Sequence, residues 1–321
     1  MKKSVLMTCA ALGLAWGCTY IFLKWSSHLI TPLQTTFIRV LFGFLPIGSY
    51  ALATGALSLR HLRYTHHFVA MSMLSATVYF FAISSGTALL PTAIAGLLNG
   101  AIPLFAFLCA WLFLRDEPMN LIKMAGIAVG FCGVIMIAAP WNADYAVSSE
   151  GVLFMLFGAF CFGSSFVYAR RFLTPLKISA VALTTYQMGV ALITLACITP
   201  MQGIDNLATE PASLIGIIFG LGFLSTGVAY IAYYRLVESE GAVTASVVTY
   251  IPPVVALLIG ALSGERLSLV AWLAMVTILA GVAIVQFADR ASRSKSQSAQ
   301  NSLNRQATHQ DRSTCDAHDC R

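Results

Sequence analysis

Thr92–Pro103 reads TAIAGLLNGAIP, and 149 residues further on Gly241–Pro252 reads GAVTASVVTYIP. The two stretches align without a gap and both end in proline. Each continues as an apolar run into a short charged turn, Arg115-Asp116-Glu117 in one and Gly264-Glu265-Arg266 in the other. Each then enters a glycine-containing apolar segment, CGVIMI at 132–137 and AGVAIV at 280–285. Upstream, Trp16-Gly17 aligns with Phe162-Gly163, Lys24 with Arg170 and Arg39 with Gln187. The chain is an internal duplication.

Composition says where the two copies sit. Of 321 residues, 58% are apolar and 10% charged, and mean hydropathy is +0.79. A soluble domain carries about a quarter charged residues, so a water-soluble enzyme is excluded. Ten apolar segments lie near 4–23, 32–53, 68–90, 92–114, 121–139, 151–169, 178–199, 212–234, 242–263 and 268–287. Each has roughly the 20 residues that cross a bilayer as a helix. Lipid offers backbone groups no hydrogen-bond partner, so spans of this continuity are helices; a barrel shows shorter, alternating segments. The expected fold is an all-α polytopic membrane protein with ten transmembrane helices. Residues 1–139 hold the first five, 140–288 the second five, and 289–321 form a polar tail with too little apolar surface to fold, expected to be disordered. The first segment follows Lys2 and Lys3 but stays apolar past Cys18 to Leu23, so it reads as a retained span and not a signal peptide.

The charges orient the spans. With the N-terminus inside, the inner loops collect Lys2, Lys3, Arg60, Arg63, Arg115, Lys123, Arg170, Arg171, Lys177, Arg235 and all basic residues of the tail. The outer side keeps only Lys24 and Arg266. The loops near 140–150 and 200–211 hold Asp144, Glu150, Asp205 and Glu210 but no Lys or Arg. By the positive-inside rule both termini are cytoplasmic. The net charge of +6 thus reports topology and attraction to an anionic inner leaflet, not nucleic-acid binding. Surrounding lipid is the expected partner of the apolar faces.

Five is an odd number of spans, so the second copy enters the membrane from the side opposite the first. Two inverted five-helix repeats related by an axis in the membrane plane are an architecture of alternating access, with substrate bound near the midplane where the halves meet.

Polar and small residues should face that centre. Helical spacing nominates Trp16, Tyr20 and Lys24 in the first span, Arg39 in the second, Tyr79 in the third and Asn99 in the fourth. It nominates Tyr168 in the sixth, Gln187 in the seventh, Tyr230 and Tyr234 in the eighth and Thr249 in the ninth. Arg39 lies about 10 Å below the outer surface at 1.5 Å per residue. A charge at a span's centre costs about 3 kcal/mol, which a partner or a wet cavity offsets. Arg39 either attracts a substrate carboxylate or bonds helix-end carbonyls while reaching outward. The same choice applies to Lys24. Asn99 and Gln187 either bind substrate or tie helices together. Pro103, Pro252 and Pro253 interrupt the backbone ladder and are hinges or static kinks. The fifth and tenth spans carry Gly126, Gly130, Gly133 and Gly281. They read as packing helices or as the seam of a homodimer.

All six His are placed outside the spans, at 28, 61, 66, 67, 309 and 318, and no Asp or Glu falls within one. Carboxylate proton relays, Ser-His dyads, metal clusters and Walker-type phosphate loops therefore have no residues to build them. No cofactor or metal is expected. Cys9, Cys18, Cys109, Cys132, Cys161 and Cys197 read as small apolar fillers. Asp116-Glu117 and Glu265-Arg266 read as helix-capping turns. The alternatives from other classes are a polytopic enzyme acting on lipid and a membrane scaffold or sensor. The first lacks a nucleophile and base at membrane depth, and the second lacks a folded soluble domain.

The order of these features resembles the ten-span EamA-type branch of the drug/metabolite transporter superfamily. Ala15-Trp16-Gly17 with Lys24, then Arg39, then the Pro103 and Pro252 spans, each followed by an acidic turn and a glycine-containing span, carry the likeness over roughly residues 5–288. The Pro252-Pro253 pair and the His- and Cys-bearing tail depart from it. The resemblance implies a bacterial inner-membrane carrier, usually an exporter of amino acids, their derivatives or other small metabolites.

Overall fold

A computed structural model describes residues 3–114, 120–138, 147–265 and 268–288. The charged turn at 115–117, Arg266 and the tail from 289 lie outside the described residues.

Among the described residues, nine helices are long and apolar enough to cross a membrane, and a shorter apolar helix completes the set. In chain order they are α1 (Ser4–Ser26), α2 (Pro32–Ala53), α3 (Leu59–Leu89), α4 (Thr92–Phe113) and α5 (Leu121–Ala138). Then come α6 (Ser149–Leu176), α7 (Ala180–Ile198), α8 (Pro211–Glu240), α9 (Val248–Leu262) and α10 (Leu269–Ala288). Local chemistry fixes several starts. Thr31 and Gln34 form a capping box ahead of α2, with Pro32 in its first turn. Ser148 caps α6 and Ser179 caps α7 through their hydroxyls. Asn120 before α5 and Ser268 before α10 accept from Lys123 and Ala271 N–H in the same way, at equivalent places in the two halves.

The helices differ from the sequence expectation at their ends. α3 begins at Leu59, not near 68, so His61, His66 and His67 lie inside its first turns. α6 begins at Ser149 and runs on to Leu176, and α8 runs on to Glu240, which brings Glu150 and Glu238 into helix ends. α9 is short because its apolar helix follows a 3-10 stretch, Ser246–Tyr250. The large exposed apolar side chains, such as Leu6, Leu45, Trp111, Leu153, Ile193 and Phe219, form the outer surface expected against lipid.

Packing shows the inversion directly. Where Gly96 of α4 faces Ala256 of α9, Gly100 faces Pro253 and Gly260 faces Ala93, so these counterparts cross antiparallel. In α5 and α10, Gly126 faces Val285 and Gly133 faces Ile278, again antiparallel. In α2 and α7, Phe44 lies by Gly189 and Gln34 donates to the carbonyls of Pro200 and Gln202, both 2.8 Å. The same two-fold maps α1 on α8 to α6 on α3. Trp16 meets Ser225 in the first pair, and Phe162 stacks 4.4 Å from Tyr79 in the second. Gly17 lies against Pro252 O and Gly163 against Ile102 O, which supports the alignment of Trp16-Gly17 with Phe162-Gly163.

The glycines of α5 and α10 are used within the chain. A Cβ on Gly281 would lie 2.6 Å from Gly126 O and would strike the backbone of Gly130. Between helices in lipid, close backbone approach and dispersion replace the hydrophobic drive. The pair is therefore an internal buttress, as one of the two expected roles of these glycines requires.

Candidate functional site

Both α4 and α9 are broken at the same depth. α4 is helical over Thr92–Asn99, turns tightly at Gly100 and Ala101, and resumes at Ile102–Phe113. α9 passes from the 3-10 stretch into Ile251–Leu262. Pro103 and Pro252-Pro253 occupy the first positions of the resumed helices, where a missing N–H costs least. They are true helix interruptions. Because proline has no N–H, the carbonyls of Asn99, Val248 and Thr249 lose their i+4 donors. The two breaks meet, with Pro253 Cγ 3.3 Å from the Cβ position of Gly100. Broken helices meeting on an inverted two-fold are where carriers of this architecture hold their cargo.

Arg39 of α2 stands beside this junction. It is 4% exposed. Its Nε donates to Thr226 Oγ1 of α8 at 3.0 Å, and Thr226 Oγ1 donates in turn to Leu221 O at 2.9 Å. That second bond spans five residues because Gly216–Val228 is wound as a π-helix, a geometry concentrated at functional sites. The guanidinium lies over the ring of Phe80, 3.8 Å from its centroid. Its electrostatic neighbours are Tyr79, Tyr230 and Tyr20. Nη1 is fully buried and has no hydrogen-bond partner among the described residues. An unsatisfied buried donor costs about 1–3 kcal/mol, more when charged.

Aromatic side chains enclose the guanidinium. Tyr20 and Tyr79 are buried, at 3% and 7% exposure. Tyr79 donates to Asn99 Oδ1 at 3.4 Å. Trp16 donates from Nε1 to Ser225 O at 3.0 Å, and its ring sits 6.2 Å from Tyr230 and 5.5 Å from Tyr233. Tyr230 lies 6.1 Å from Tyr234, whose hydroxyl bonds Thr184 of α7. Asn99, Trp16, Tyr230 and Tyr234 are half-buried, whereas Arg39, Phe80 and Thr226 are not reached from outside.

Of the residues nominated from sequence, the fold gathers Trp16, Tyr20, Arg39, Tyr79, Asn99, Tyr230 and Tyr234, and the prolines beside them. It engages Lys24 and Tyr168 elsewhere. Lys24 donates to the carbonyls of Thr87, Ala88 and Leu90 at 3.5, 3.3 and 3.0 Å, so it closes the C-terminal end of α3. The helix-end role weighed for Arg39 belongs to Lys24. Tyr168 bonds His67 Nδ1 at 2.8 Å and packs on Phe172. It lies six residues beyond Phe162, about 9 Å along the helix. Gln187 is buried on α7, and Thr249 is exposed in the 3-10 stretch. Phe80 and Thr226 were not nominated. Helical spacing in α3 favoured Tyr79, and nothing near Thr226 announces a residue 187 positions away.

Glu265 caps a helix, as an acidic turn should, but the helix belongs to the other half. Its carboxylate accepts from Thr92 N and Ala93 N of α4 at 2.6 and 3.0 Å. Gly260 leaves the room, since a Cβ there would lie 2.5 Å from Glu265 Oε2. Lys24 and Glu265 thus hold the α3–α4 corner shut from two sides. Glu265→Gln should weaken this closure by about 1–2 kcal/mol. A single cysteine at buried Ser85, in a cysteine-free background, should then react with an aqueous maleimide roughly tenfold faster; an unchanged rate would show that the cap does not govern this end.

Comparison with known proteins agrees with this architecture. The chain matches the EamA-like transporter family over residues 3–139 and 149–287. A protein described as the uncharacterized inner membrane transporter YedA of Escherichia coli K12 is 27% identical over 285 residues, covering 86% of this chain and 88% of that one. An uncharacterized transporter of Archaeoglobus fulgidus is 25% identical over 288 residues, covering 89% and 99%. A riboflavin transporter of Brucella anthropi is 30% identical over 173 residues, covering 53% and 57%. A crystal structure with 21% identity superimposes with a TM-score of 0.59 over 90% of this chain and 99% of the other, which shows a shared fold. Two antiparallel halves, broken helices that meet each other, a buried arginine bonded across the halves and a family match over both lead to one conclusion: the chain is a multi-pass membrane transporter that belongs to the EamA-like transporter family.

Proposed function

We propose that this transporter is a bacterial inner-membrane exporter of small amphipathic metabolites, amino acids or related compounds, working by alternating access without ATP or a bound cofactor. The observation that carries this reading is Arg39. A buried guanidinium hydrogen-bonded through Nε alone, with Nη1 buried and unpartnered, set among tyrosines where two inverted halves meet, suits an amphipathic cargo bearing an anionic group. Both termini are placed in the cytoplasm by the charge bias, which puts Lys24 and Glu265 at the periplasmic end. The arrangement held by those two residues then has its outer end closed, and rocking of one half against the other would open it. Pro103, Pro252 and Pro253 sit where such a motion would bend the chain.

Orientation is testable by fusion. A reporter active only in the periplasm should give signal after Val147 and none after Lys177; the reverse pattern would overturn the topology. Direction is tested by loading inside-out and right-side-out vesicles with candidate metabolites and comparing efflux.

A further inference from the structure

We infer that the cargo is an aromatic organic monoanion, with its carboxylate on Arg39 Nη1 and its ring among Trp16, Tyr79 and Tyr230. The inference rests on the carrier reading above and narrows its small amphipathic metabolites to one class, setting the zwitterionic amino acids aside.

Three features set the class. The first is charge. Arg39 is fixed by Nε to Thr226 and by its face to Phe80, so the guanidinium cannot swing away to find another partner. Nε is the only guanidinium nitrogen with a hydrogen bond among the described residues, and Nη1 is both unpartnered and fully buried. A carboxylate is the group that satisfies it with a charge-assisted bond. The second is the number of charges. Lys24 is committed to carbonyls at the end of α3. The counterpart of Arg39 in the other half is the neutral Gln187. One positive charge serves the junction, which matches one negative charge on the cargo. The Asp and Glu among the described residues lie at helix ends or turns, with Glu265 already bonded to α4. A zwitterion would place its ammonium beside a guanidinium with no carboxylate to receive it, and a buried unpaired charge is strongly disfavoured. The third is shape. The rings beside Arg39 touch their neighbours, with centroids 4.4 to 6.2 Å apart, and so form an aromatic wall against which a flat ring packs.

The test is a ranking of four probes on the full purified chain in detergent, by isothermal titration: benzoate, its neutral methyl ester, hexanoate and L-phenylalanine. Benzoate should bind at least tenfold more tightly than the ester and than phenylalanine, and several-fold more tightly than hexanoate. Arg39→Gln should bring benzoate down to the level of the ester. Tyr230→Leu should remove the preference for benzoate over hexanoate while leaving both anions ahead of the ester. Equal binding of benzoate and its ester, tighter binding of phenylalanine, or binding of none would overturn the class. The ranking on the unmodified chain decides the matter even if Arg39→Gln does not fold. Proteoliposome exchange separates the two readings. Benzoate that binds in the stated order but never exchanges would leave the class standing and sink the carrier. Exchange of other metabolites with benzoate inert would do the opposite.

Discussion

Arg39→Ala should lower exchange in proteoliposomes on the order of 100-fold while leaving the melting temperature of the purified protein nearly unchanged. The loss of exchange follows from removing one partner of a buried charge pair, which costs about 2–5 kcal/mol. The insensitivity of the fold follows from a near cancellation. The substitution forfeits the bond to Thr226 and the contact with Phe80, together about 2–4 kcal/mol. It also removes a buried unpartnered donor and a charge whose placement in a bilayer costs about 3 kcal/mol. A residue kept only for structure would behave differently, with expression, melting temperature and exchange falling together. Arg39→Lys sharpens the comparison. Lysine keeps the charge but cannot stack flat on Phe80 while bonding Thr226, so it should recover part of the exchange and not all of it.

Gly281→Ala should do the reverse and cost stability first. The methyl would sit 2.6 Å from Gly126 O and against the backbone of Gly130. Backbone cannot swing aside as a long side chain can, so α5 and α10 must part along their length. Overpacking of this kind costs about 3 kcal/mol, and the melting temperature in detergent should fall by several degrees with a matching loss of folded protein in the membrane. Gly48→Ala is the control. Its nearest neighbour is the ring of Phe44 at 3.4 Å, and alanine is the better helix former by about 1 kcal/mol, so stability should hold or rise. A Gly281 variant as stable as wild type would show that the buttress does not set the separation of these helices.

The two substitutions separate what was legible along the chain from what was not. Hydropathy and the duplication require ten spans in two inverted sets of five, because lipid cannot satisfy an exposed backbone and an odd repeat must enter from the other side. Those are constraints on each segment alone, and sequence carries them in full. Pro103 and Pro252 marked the two breaks for the same local reason: a residue without an N–H interrupts its own helix. Helical spacing also found most of the aromatic wall, since Trp16, Tyr20, Tyr79 and Tyr230 each occupy the polar face of their own span.

Pairing between spans was decided elsewhere. Lys24 and Arg39 looked alike in sequence, each a cation in the outer half of a helix. Only the fold sends Lys24 to the carbonyls closing α3 and leaves Nη1 of Arg39 buried and unpartnered. Tyr168 follows the same spacing rule as Tyr79, yet it ends beside His67, because α3 begins nine residues earlier than hydropathy indicates. Thr226 has no periodicity to betray it. Its role depends on a π-helical winding and on a crossing between α2 and α8. The periodicity of a helix fixes which face turns inward. Which side chain that face will meet depends on helix register and crossing, and these are set by side-chain volumes from both halves together.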